Sequence, residues 1–191
     1  DGNSNPAWVA ADLLSQAEHD KMASAVLVTD SRELAQAVSR EIKVQLQTLE
    51  REEIARASIE ANGKIIVARS LKEAAAVANR IAPEHLELSV DNPFDYLGLI
   101  ENAGSIFLGR YNPEPMGDYF AGPNHTLPTM GTARFYSPLS VDDFIKKSQF
   151  SYYTREALEK DCRKVSRFAK EEGLTAHARA VDIRFEKEGE T

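Results

Sequence analysis

Four short apolar runs, with helical patterns filling the intervals between them, decide what this chain can fold into. They are residues 25–29 (AVLVT), 64–68 (KIIVA), 86–90 (LELSV) and 105–108 (SIFL). Each is too short for a buried helix and is bounded by turn formers, so each reads as a strand. Residues 32–49 repeat Leu34, Val38, Ile42, Leu46 and Leu49 at helical spacing, with Asp30 or Ser31 as the cap. Residues 52–61 are a second helical segment, stopped at Asn62-Gly63. Residues 70–81 form a helix opened by a Ser70/Glu73 capping box and stopped at Ala82-Pro83, because the residue before a proline is pushed out of the helical region. Residues 92–102 read as a short helix. Strands joined through helices run parallel, so the pattern predicts an α/β fold: a parallel sheet with helices on its faces and right-handed crossovers. No G-x-G-x-x-G stands at any strand-to-helix turn, so a dinucleotide fingerprint is missing. Ligands in such sheets sit beyond the carboxyl ends of the strands, and the loop after Leu108 exits there.

That loop, residues 111–139, holds five of the chain's eight prolines and three of its ten glycines. No helical or alternating period survives such spacing. It also carries Met116, Tyr119, Phe120, Leu127, Phe135, Tyr136 and Leu139, too much apolar material for a solvated linker. It therefore reads as an ordered, packed loop presenting Asp118 and His125. Before the first strand, residues 6–19 read as a helix capped by Asn5 and opened by Pro6, with Gln16 and His19 three apart on one face. After Leu139 the character changes. Ser140 to Asp143 opens a short helix, and Phe150–Tyr153 is a strand or a turn. Residues 154–172 form a charged amphipathic helix, capped by Thr154 and ended by Gly173, and residues 175–185 a last helix.

Composition narrows the function. Lys plus Arg is 23 against 30 for Asp plus Glu, and no basic cluster stands out, which argues against nucleic acid or an anionic membrane surface as a partner. No apolar run approaches a membrane span, and the first residues lack the pattern of a secretion signal. The single cysteine, Cys162, sits in a charged helical pattern and reads as an ordinary residue of a reducing cytoplasmic setting.

The chemistry-bearing residues are few. Each of the four histidines has a polar companion: Gln16 with His19, Glu84 with His85, Asp118 with His125, Glu172 with His177. Imidazole and carboxylate together suit zinc or a similar divalent ion. Glu84-His85 is a pair able to share proton transfers. On an extended strand the two would face opposite ways, whereas a turn at Pro83 lets both face one cavity. From spacing alone, each of these side chains is more often a solvated polar residue.

The segments LLSQAEHD (13–20), APEHLEL (82–88), GSIFLG (104–109), GDYFAGPNHTLPTMGTARF (117–135) and EEGLTAHARAV (171–181) closely resemble histidinol dehydrogenase over essentially the whole chain. That family is zinc-dependent and NAD-linked and oxidises L-histidinol through an aldehyde to L-histidine. The resemblance implies that Gln16, His19 and Asp118 bind zinc, with His177 completing the set from the other subunit of a homodimer. It makes Glu84 and His85 the catalytic acid/base pair. Gln16, His19, His85, Asp118, His125, Glu172 and His177 become the substrate contacts. The likeness is to the family's C-terminal part only, so the nucleotide-binding half is absent and no NAD-binding residue is expected here. The expected organisation is an incomplete, partial Rossmann-like parallel sheet with flanking helices over residues 1–139, active-site loop 111–139 included, and a helical dimerisation tail over 140–191. By itself such a piece is expected to be inactive. Two other readings stand beside this one: a sister dehydrogenase of the same fold acting on another small alcohol, and a non-catalytic dimerisation or metal-binding module.

Overall fold

The structure, a computed structural model, describes residues 1–186. The chain forms two compact units, Asp1–Ile145 and Lys146–Thr191.

The first unit opens with helix α1 (Pro6–Ala17), where the Asn5 side chain accepts from the N–H of Ala7 and Pro6 fills a first-turn position that needs no donor. Strand β1 (Val26–Thr29) leads to α2 (Arg32–Leu46), and Ser31, not Asp30, caps it by accepting from Leu34 at 3.1 Å. Leu34, Val38, Ile42 and Leu46 are the buried stripe that their spacing predicts. With Val9, Ala10, Leu14 and Ala17 of α1 and Ala55 of α3 (Glu52–Asn62) they make the main hydrophobic cluster, with Leu49 packed on its margin past the helix end. Small residues on α1 let the helices approach closely, so the core of this unit lies among helices. Helix α3 ends where Gly63 turns extended, and there a Cβ would lie 2.6 Å from the Ile59 carbonyl oxygen.

Strand β2 (Lys64–Val67) pairs with β1 in parallel, Val26 opposite Lys64. Helix α4 (Leu71–Ile81) begins with half of the expected capping box. Ser70 accepts from Glu73, but the Glu73 carboxylate turns to the N–H and guanidinium of Arg69. Ala82 then takes a left-handed conformation, φ 52°, and swings the chain into Pro83. Strand β3 (His85–Leu88) pairs in parallel with β4 (Ser105–Leu108), His85 opposite Ser105.

Three expectations change here. The strands form two separate two-stranded parallel sheets, β1 with β2 and β3 with β4, where the sequence pattern predicts one. They are also incompletely covered: Ile65 and Val67 of β2 are 39% and 42% exposed. The helix expected over 92–102 shrinks to α5 (Phe94–Leu97). Beyond Gly98 the backbone is drawn off by one side chain of α4, since Asn79 accepts from Glu101 and Asn102 and donates to the Leu99 carbonyl. Finally, the 111–139 segment is neither free of helix nor as packed as its aromatics predict, since Tyr119, Phe120, Phe135 and Tyr136 are exposed. It contains α6 (Glu114–Tyr119) and a 3-10 turn, Thr132–Arg134. Pro113 and Pro115 stand before and within the first turn of α6, where a missing N–H costs nothing, so they start a helix instead of breaking one.

The Ser140 segment is a 3-10 turn, Val141–Phe144. In the second unit residues 150–153 have no regular structure. Helix α7 (Arg155–Glu171) is capped by Thr154, and Gly173 follows it with φ 75°. Helix α8 (Thr175–Asp182) packs against α7, where Ser166 donates to Asp182 at 2.9 Å, and a 3-10 turn, Ile183–Phe185, follows. The last residues of the expected tail, 187–191, lie outside the described residues.

Candidate active site

A cavity of about 810 Å³ opens in the first unit between α1, α4, β1, β3 and the 111–139 segment. Its polar wall is assembled from four places. Gln16 comes from the last turn of α1, and His19 follows two residues beyond that helix, held by its N–H to the Gln16 carbonyl at 3.3 Å. Glu84 and His85 come from the entry to β3. Glu114 and Asp118 come from successive turns of α6, and His125 from the loop beyond. The parallel ladder extends backwards at β3, with Gly104 and Ser105 donating to the carbonyls of Pro83 and Glu84, which fixes the Glu84-His85 backbone.

Six of the residues singled out from sequence therefore line one cavity: Gln16, His19, Glu84, His85, Asp118 and His125. The other two, Glu172 and His177, belong to the second unit, Glu172 at the end of α7 and His177 on α8, both exposed there. Sequence reasoning missed Glu114, Glu87 and Asp12. Glu114 is 4% exposed and central. Its N–H donates to Glu87 Oε1 at 2.9 Å, and its Oε2 accepts from Gln16 Nε2 at 2.8 Å. Its Oε1 is buried with no hydrogen-bond partner and lies 3.7 Å from His85 Nε2. The available signal was its place four residues before Asp118, which puts both on one face once Pro115 is read as a helix start.

The Glu84-His85 pair does not lie beyond the carboxyl ends of the strands, where ligands of such sheets are expected. His85 is the first residue of β3 and faces the first residue of β4, so Glu84 and His85 sit at the amino end of this strand pair, not beyond its carboxyl end.

The electrostatics are those of crowded acids. Burial, then the charge of Asp118, pushes the Glu84 carboxyl up. Burial and then Asp118 raise Glu114 to about 7, and burial and then Asp12 raise Glu87 to about 8. Burial lowers His85, against the pull of Asp118, so its imidazole is neutral and able to accept a proton near pH 7. The His85 ring is held against Phe107, centroids 6.0 Å apart.

Among the described residues, no lysine or arginine lines this cavity to balance the acids. One atom each from His85, Glu114 and Asp118 lie within 4.8 Å of one another, the spacing of a shared ligand. Imidazole, carboxylate and amide donors beside a buried, unpartnered carboxylate oxygen fit a divalent cation such as zinc.

Fold and cavity together define a class: a mixed α/β protein whose acidic site gathers the donor types used in metal-assisted acid–base chemistry. Comparison with known proteins is specific. The chain belongs to the histidinol dehydrogenase family, whose sequence profile matches residues 1–185. It is 57% identical over 188 residues to the histidinol dehydrogenase of Listeria monocytogenes, a match covering 98% of this chain and 44% of that protein. It is 58% identical over 185 residues to that of Caldanaerobacter subterraneus, covering 97% and 43%. Among solved structures, the crystal structure of histidinol dehydrogenase from Elizabethkingia anophelis superposes with a TM-score of 0.83 at 41% identity, over 95% of this chain and 42% of that one. The chain thus spans less than half the length of the relatives it matches. Among the described residues, no helix is long and apolar enough to cross a membrane.

Proposed function

We propose that this chain supplies the metal-binding and acid–base part of a histidinol dehydrogenase, the cytoplasmic, NAD-linked oxidation of L-histidinol to L-histidine through the aldehyde. One observation carries the reading. Gln16, His19, Glu84, His85, Asp118 and His125, scattered over more than a hundred positions, line a single cavity.

Gln16, His19 and Asp118 hold zinc, and His177 of the partner subunit of a homodimer with exchanged helical tails completes the set. When bound, the zinc orients the amino and imidazole nitrogens of histidinol and offsets the crowded acids. His85, kept neutral by burial, accepts the alcohol proton as hydride leaves for NAD. Glu84, whose carboxyl is made more basic by burial, takes a proton from the water that adds to the aldehyde. His125 and Glu172 contact the substrate. The two strand pairs are read as parts of a larger Rossmann-like parallel sheet, and NAD is bound by the portion of the relatives' length that this chain does not span.

The test takes the 191-residue chain alone and mixed with the N-terminal part of the Listeria relative. The chain alone is expected to bind zinc and to give no NADH from histidinol, and the mixture to give NADH. His85→Asn is expected to abolish turnover in the mixture while zinc stays bound. Turnover unaffected by His85→Asn, or a preference for another small alcohol over histidinol, overturns the reading.

A further inference from the structure

We infer that Glu114 is a positioning residue that selects which end of the Gln16 amide faces the cation. This rests on the reading above, in which Gln16 is a zinc ligand, and assigns Glu114 a part in it. A glutamine amide has two ends of nearly the same shape, a carbonyl oxygen with lone pairs and an NH₂ that only donates. A divalent cation takes the oxygen. Something must therefore hold the NH₂ away, or the ligand presents the wrong end for part of the time.

The structure places an acceptor where it is needed. Gln16 Nε2 donates to Glu114 Oε2 at 2.8 Å, and more weakly to Ser15 Oγ at 3.4 Å. In this contact Glu114 Oε2 is the acceptor, which holds the NH₂ end and leaves Oε1 of Gln16 for the cation. Glu114 is itself fixed. It is 4% exposed, its backbone N–H is bound by Glu87, and it shares a short helix with Asp118. Its second oxygen, buried and unpartnered, lies on the His85 side. One side chain thus stands between an arm that holds the cation and the residue that moves the proton. Partners of this kind are worth about 10–100-fold in metal affinity.

Zinc titration of the 191-residue chain, with cobalt substitution read by visible absorption, tests this in a double-mutant cycle. Glu114→Gln keeps the shape but can donate or accept, so the choice of end is lost. Its zinc affinity is expected to fall by about tenfold or more, with a changed cobalt spectrum. Added to Gln16→Ala, it is expected to cost nothing further, because Glu114 acts through Gln16. Unchanged affinity in Glu114→Gln, or losses that multiply in the double variant, overturn the inference. The second result would mean that Glu114 is a ligand or acts only through its charge. If Gln16→Ala binds zinc normally while Asp118→Asn does not, the assigned ligand set fails instead. A measurement needing neither metal nor folded variant stands beside these. The Gln16 side-chain NH₂ is expected to exchange with solvent far more slowly than that of exposed Gln47. Equal exchange rates overturn the inference by themselves.

Discussion

Gly117 is the position where packing and site are tied most tightly. A Cβ built there would lie 2.5 Å from Phe107 Cε1 and 2.9 Å from Cζ. Phe107 is 4% exposed and its ring already rests against that of His85, so it has little room to give. Gly117→Ala must therefore drive the ring towards His85 or lift α6, and Asp118 with it. Two terms oppose each other. Alanine in a helix interior gains about 0.8–1 kcal/mol over glycine, and overpacking a buried contact costs about 1–3 kcal/mol. A net loss of about 1 kcal/mol is expected. The assay is urea unfolding followed by Trp8, the chain's single tryptophan, which lies in the first unit. Phe107→Leu removes the ring atoms that the methyl would meet. In that background Gly117→Ala should become neutral or stabilising, a coupling of about 1–2 kcal/mol. A Gly117→Ala chain more stable than the parent by the full helix-propensity gain, with no coupling to Phe107, would refute the close approach.

Glu87→Gln should reshape the pH dependence of stability. The carboxyl of Glu87 is pushed up to about 8, by burial first and Asp12 second, from an ordinary 4.5. The folded state therefore holds this proton more tightly than the unfolded chain. The stability it confers is full below pH 4.5 and is lost as pH rises through 8. Glutamine keeps an acceptor for the Glu114 N–H and a donor for Asp12 while staying neutral. With a chelator present, the variant should match the parent near pH 4.5 and exceed it by about 1–2 kcal/mol at pH 8.5, a fraction of the ~1.4 kcal/mol per pH unit set by linkage because Asp12 shares the proton. Equal curves at both pH values would sink this. Leu14→Ala, in the heart of the α1–α2 cluster, should cost about 2–5 kcal/mol in the same urea assay, and a loss under 1 would show the core lies elsewhere. Ser31→Ala removes the oxygen that accepts from Leu34 and should cost about 1 kcal/mol, against no change for Asp30→Ala.

The division between what could and could not be read from the sequence follows the range of the forces involved. Helix α2 was legible in its stripe and its cap, because both are set within four residues. The runs at 25–29 and 105–108 gave β1 and β4 nearly residue for residue. Strand pairing is non-local. Nothing within 64–68 states which edge it will join, and the single sheet expected became two pairs. Proline carried another error. In the 111–139 stretch its density reads as helix-breaking, although Pro115 at a first turn is a starter, and that reading hides α6 and with it Glu114. The histidines showed themselves by rarity. Their convergence depends on α1, β3 and α6 meeting, which no spacing records.

The dimensions of α6 explain why the pair at the entry to β3 can belong to the same site as Asp118. The chain leaves β4 at its carboxyl end, yet Glu84 and His85 sit at the amino end of the neighbouring strand. Something must run back along the sheet. From Glu114 to Asp118 a helix advances four residues at about 1.5 Å each, or about 6 Å. From Glu87 to His85 a strand covers two residues at about 3.3 Å, nearly the same length, and both side chains share one face. The i, i+4 acids of α6 can thus lie in step with the i, i+2 residues of β3. Glu114 is bonded to Glu87 at one end, and the charge of Asp118 acts on His85 at the other. That match needs the helix pressed against the strands, which is why the residue before Asp118 has no side chain. A bulkier residue at 117 would break the step at both ends, and Glu84 and His85 would lose the charge of Asp118 although all three residues remained in the sequence.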